Sequence, residues 1–128
     1  GVVQPAEKKA YDDALKAFQD GNLKKADADF SGFISRFPKS PYVPLALFWG
    51  GNSKYANKDC KGATTQLQSL ISRYPNHPRI PAALLTIGNC QLESGNKAAA
   101  KRTFIEIVAQ YPDTDTAKDA QRLISATK

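Results

Sequence analysis

Three aromatic-proline pairs, Phe37-Pro38, Tyr74-Pro75 and Tyr111-Pro112, stand 37 residues apart, and that spacing limits the chain to a tandem-repeat architecture. The same step relates Asn22, Asp59 and Asn96; Ala26, Ala63 and Ala100; Phe30, Leu67 and Phe104; and Phe33, Leu70 and Ile107. Within each block the apolar residues recur at three and four positions, as in Phe30, Phe33, Ile34 and Phe37. That is the buried stripe of one helix. Each such helix must stop at its proline, which lacks an amide hydrogen and disfavours helical geometry in the residue before it.

Upstream of each stripe the periodicity predicts another helix, over 7–20, 41–56 and 79–94. Asp20-Gly21-Asn22, Asn57-Lys58-Asp59 and Ser94-Gly95-Asn96 join the two. Gly21 and Gly95 suit a left-handed turn, and where Lys58 replaces glycine a neighbouring asparagine is expected to take that conformation. Alanine after each turn, with Gly51 and Gly88 on the first helices, suggests that the helices of a pair cross closely. A flexible hinge at Gly50-Gly51 is the other reading. The predicted fold is all-α: three helical hairpins over about 7–40, 41–77 and 78–113, and a capping helix over 114–127 started by Thr114 or Asp115. That makes seven helices in one domain, 7–128, with 1–6 as a linker or expression remnant.

Composition narrows the function. The net charge of +6 is uneven: residues 1–30 hold six acids and five bases, whereas residues 31–112 hold three acids and ten bases. An anionic partner and a merely solvated basic face both fit. Aromatic residues do not interleave with the bases, so nucleic acid is not expected. Nothing approaches the roughly 18 apolar residues of a membrane span, so no direct membrane insertion is expected. The lone histidine, His77, has no second ligand at metal spacing and reads as a loop histidine. No serine triad and no phosphate loop is present, so catalytic, cofactor and metal sites are all expected to be absent and the chain is not expected to be an enzyme.

The hairpin with small residues in each helix, a turn glycine, an alanine and a closing proline resembles the tetratricopeptide repeat, which implies a solenoid with a peptide-holding inner face. The first helices would line that face. Residues recurring on it are Tyr11, Phe48 and Leu85; Leu15, Asn52 and Asn89; and Phe18, Tyr55 and Leu92. The two asparagines offer donor and acceptor to an extended backbone, although a mid-helix asparagine facing water fits equally. The aromatics could instead be core. Trp49, about 100° round the helix from Phe48, is expected to pack between repeats.

More narrowly, Phe37-Pro38-Lys39-Ser40-Pro41-Tyr42-Val43-Pro44, Phe48-Trp49-Gly50-Gly51 and the run from Tyr111 to Gln121 are similar to the C-terminal domain of the cell division coordinator family CpoB (YbgF). That resemblance spans residues 11–124. It implies a periplasmic, Tol-Pal-associated scaffold that binds TolA and coordinates outer-membrane constriction with a septal peptidoglycan synthase of the penicillin-binding class. The family's N-terminal coiled coil, which makes the full-length protein oligomeric, is not in this sequence. The connections also resemble the outer-membrane lipoprotein of the barrel assembly machinery, which implies an assembly scaffold. A third reading is a peptidoglycan-binding or hydrolysing accessory, supported by the basic middle alone. Cys60 and Cys90, in a chain whose resemblance implies an oxidising compartment, fit either a disulfide or two buried thiols.

Overall fold

The computed structural model describes residues 2–127, and the periodicities of the sequence appear in it as seven α-helices with no strand among the described residues. These residues fall into two compact units divided between Tyr74 and Pro75. The first holds α1 (Pro5–Gln19), α2 (Leu23–Arg36), α3 (Val43–Ala56) and α4 (Cys60–Arg73). The second holds α5 (Ile80–Glu93), α6 (Lys97–Gln110) and α7 (Asp115–Ala126).

Helix ends follow local chemistry. Asn22, Asp59 and Asn96 cap α2, α4 and α6, each side chain accepting from a backbone amide three residues on, at 3.4, 2.9 and 3.3 Å. In the sequence they stand out only as turn residues. Thr114 caps α7 by accepting from the Ala117 amide at 3.0 Å. α1 begins at Pro5, two residues earlier than its apolar pattern indicates. Proline suits the first helical position, and the Glu7 carboxylate reaches back to the Gln4 amide at 3.4 Å.

The turns inside the hairpins share one geometry. The residue at the left-handed position is Gly21 (φ 80°), Lys58 (φ 65°) or Gly95 (φ 83°). The following residue donates back five positions, Asn22 to Ala17, Asp59 to Lys54 and Asn96 to Gln91, at 2.9, 2.8 and 2.9 Å. Lys58 itself therefore takes the strained conformation, and the expectation that a neighbouring asparagine would do so is corrected: Asn57 lies at φ −81°, ψ 8°. The hydrogen-bond pattern sets which position must be left-handed, and the side chain there has to comply. Asn57 instead donates its side-chain amide to the Leu23 carbonyl at 2.9 Å. Lys58→Gly relieves the steric cost, so the variant should gain about 1 kcal/mol, measured as a raised urea midpoint at unchanged slope.

In the first unit Phe30, Phe33, Leu67 and Leu70 are fully buried; in the second, Phe104 and Ile107 are. Gly51 packs under Leu67: a β-carbon there would lie 2.6 Å from Cδ2. Gly88 stands likewise against the ring of Phe104, where a β-carbon would collide with Cε1 and Cδ1. The glycines are packing sites, and Gly50, held below the Phe30 and Gln66 side chains inside α3, is no hinge. α7 packs on α6 and α5 and buries Ala117 and Ala120, as a capping helix does.

Candidate functional site

Helix spacing places Tyr11, Leu15 and Phe18 along α1 and Phe48, Asn52 and Tyr55 along α3, two helices that touch in the first unit. Their environments differ. Tyr11 and Phe48 are 6% and 5% exposed, so both belong to the core and not to an open surface. Tyr11 stacks on Tyr42 at 4.6 Å and meets Phe30 and Phe33 edge-on at 6.1 and 5.9 Å. An aromatic pointing from α1 toward α2 and the loop before α3 is enclosed by three rings, which periodicity alone does not reveal.

Leu15, Phe18, Asn52 and Tyr55 remain half-buried. Phe18 leans on Trp49, ring centroids 5.2 Å apart, and Trp49 also contacts Phe48 at 4.9 Å. Trp49 thus packs between the first and second hairpins, as its angle round the helix predicts. Asn52 donates its amide hydrogen to the Phe48 carbonyl at 3.0 Å. In the second unit Leu85, Asn89 and Leu92 lie on α5 and are also half-buried. Cys60 is the first residue of α4, and Cys90 is buried on α5; neither is a free thiol.

The loops after the prolines carry a second set of polar contacts at the 37-residue register. Ser40 accepts from the Tyr42 amide at 3.0 Å, and His77, at the equivalent position, accepts from the Arg79 amide through Nδ1 at 3.1 Å. Ser40 also donates its hydroxyl to the buried Glu7 carboxylate, tying the start of α1 to the first connection. The Gln4-x-x-Glu7 spacing was the sequence signal for half of this link. His77 is a structural cap of its loop.

Burial, with the Arg79 cation second, lowers the His77 pKa from its ordinary value of 6.5. A depressed folded pKa means that the unfolded chain binds the proton more readily. The contribution is therefore present above about pH 6.5 and is lost as pH falls through the folded value. Urea midpoints should drop between about pH 7.5 and 5.5, and His77→Asn, which keeps an acceptor but cannot titrate, should flatten that slope.

The first thirty residues neutralise themselves: Lys8–Asp12, Lys9–Asp13, Lys16–Asp20 and Lys25–Asp29 are ion pairs one helical turn apart. Asp27 reaches across to Lys54 of α3 at 2.8 Å. The basic excess therefore lies beyond them, from Arg36 onward.

Several solved structures share this fold. PcrH from Pseudomonas aeruginosa superposes with a TM-score of 0.81 at 17% identity, covering 99% of this chain and 95% of that one. SycD, the type III secretion translocator chaperone of Yersinia enterocolitica, gives 0.76 at 18%, covering 94% and 88%. The first tetratricopeptide domain of Spaghetti (RPAP3), bound to an HSP90 peptide, gives 0.76 at 15%, covering 98% and 97%. No curated protein matches the chain in sequence. The fold is thus that of the tetratricopeptide repeat. Among the described residues no helix is long and apolar enough to cross a membrane. The profile of the family YfiO, described as outer membrane lipoprotein, matches residues 4–128, and the chain belongs to that family.

Proposed function

We propose that this chain is a non-catalytic scaffold on the periplasmic side of the outer membrane that holds a partner peptide against the half-buried residues of α1 and α3. Membership of an outer-membrane lipoprotein family over residues 4–128 is the observation that carries this reading. The fold relatives support the mode of binding: PcrH has been solved with the chaperone-binding regions of PopD and of PopB, and the Spaghetti domain with a peptide. Leu15 and Phe18 supply apolar contact, while Asn52 and Tyr55 supply polar groups that an extended backbone can meet. Leu85, Asn89 and Leu92 offer the same residue types on α5.

The resemblance of the inter-repeat connections to the outer-membrane lipoprotein of the barrel assembly machinery, alongside membership of an outer-membrane lipoprotein family, favours a partner within that machinery. A second reading, TolA binding in a division coordinator that works with the septal peptidoglycan synthase, is favoured by the similarity of residues 37–44, 48–51 and 111–121 to that family. Titration of the labelled chain with a TolA fragment, and separately with soluble periplasmic portions of the assembly machinery, discriminates them. Amide shifts on α1 and α3 that weaken in Asn52→Ala plus Asn89→Ala identify the partner. Binding of neither would remove the reading.

We also propose that Cys60 and Cys90 are joined, supported by the absence of a free thiol at either residue. Intact mass after alkylation should show no adduct without reductant and two adducts after reduction. Adducts without reductant would exclude the bridge.

A further inference from the structure

A different face of the first unit carries a groove that no partner described above uses. α2 and α4 each pack on α3 and leave a gap between themselves, about 690 Å³ in volume. Its apolar part is Leu47, buried on α3, and Ile34, half-buried on α2. The hydroxyls of Ser31, Thr65 and Ser69 line it and are not bonded within the described chain. Elsewhere in these helices Ser53, Ser72 and Thr103 turn their hydroxyls back to carbonyls four residues earlier, at 2.8, 3.0 and 3.1 Å. The groove hydroxyls stay available.

Charge is arranged at both ends. α4 contains no acidic residue, and Lys61 and Arg73 bracket the groove twelve positions apart, about 18 Å at the helical rise. Of the other charged groups on the lining, Lys54 is paired with Asp27, and Asp59 is engaged at the Gly62 amide. Neither Lys61 nor Arg73 has an acidic partner among the described residues. Arg73 lies over the Tyr74 ring at 5.4 Å, which holds its planar fork in place for a carboxylate.

We infer that this groove docks an extended acidic peptide of a partner protein, with carboxylates toward its two ends and aliphatic side chains between them. At roughly 3.3 Å per residue, 18 Å corresponds to about five or six residues. The carboxylates meet Lys61 and Arg73, the aliphatic centre covers Ile34 and Leu47, and the hydroxyls donate to the peptide carbonyls. No aromatic side chain lines the groove, so bases would find no stacking platform. This docking surface is separate from the α1 and α3 face and does not depend on which partner that face holds.

The test probes the 128-residue chain with arrays of hexapeptides whose central four positions vary among Leu, Ile, Val and Ser. One array ends in Asp or Glu, a second in Gln, a third in Lys, and a thymidine octamer is included. Acidic-ended peptides should be retained at least about tenfold better than the others, a difference of about 1.4 kcal/mol. Lys61→Glu plus Arg73→Glu, both exposed positions, should abolish that preference while circular dichroism stays unchanged. Equal retention of the Gln- or Lys-ended arrays, preference for the oligonucleotide, retention unaffected by the double variant, or no retention at all would each overturn the inference. Asn52→Ala should leave it intact.

Discussion

Phe104→Ala will lower the free energy of unfolding by about 3–5 kcal/mol, the range for deleting a fully buried phenylalanine. The ring is 0% exposed and sits over Gly88, where α5 presents no side chain of its own. Removing the ring leaves a void that glycine cannot fill, since there is no side chain there to change rotamer and close it. Ile105, the next residue on α6, is 50% exposed and serves as the control. Ile105→Ala should change stability by about 0.5 kcal/mol or less. Urea unfolding followed by far-ultraviolet circular dichroism measures both. A Phe104→Ala cost no larger than that of Ile105→Ala would mean that the α5–α6 core is not built around this ring.

Gly88→Ala should destabilise by about 1–3 kcal/mol, the usual penalty for overpacking a core. The added methyl would fall on Cε1 and Cδ1 of Phe104, a rigid ring edge and not the end of a flexible chain. This opposes the ordinary preference for alanine over glycine within a helix, about 1 kcal/mol, so a net loss reads directly on packing. Combining Gly88→Ala with Phe104→Ala takes away the ring that the added methyl would meet. The double variant should cost less than the sum of its parts. Strict additivity in the urea midpoints would sink this explanation.

How far the sequence spoke for itself differs from residue to residue. The apolar stripes ending at Phe37, Tyr74 and Tyr111 correspond to α2, α4 and α6, which end within one residue of the prediction because proline chemistry acts locally. The caps at Asn22, Asp59 and Asn96 are equally visible as a register, although the register alone indicates a turn and not the cap that each side chain supplies. Glycine at 51 and 88 pointed to close packing, and both meet a large side chain of the partner helix. The surface was less legible. Tyr11 and Phe48 share a helix face with Phe18 and Tyr55, yet only the former pair is enclosed. A helix stripe wider than its contact with one neighbour has edges, and which residue falls at the edge depends on helices far away in sequence.

The chain's covalent order by itself determined the number of helices, their ends to within two residues, the pairing of helices into hairpins and the family-level fold. These follow from backbone rules that act over three to five residues and from a repeat that applies them three times. Only the tertiary structure decided that Lys58 bears the left-handed turn, that Glu7 closes on Ser40, that Tyr11 is core, and that Ser31, Thr65 and Ser69 line one groove between two cations. Each of these depends on how a side chain's alternatives are removed by a second helix. That is a property of distances between elements, which spacing along the chain does not encode.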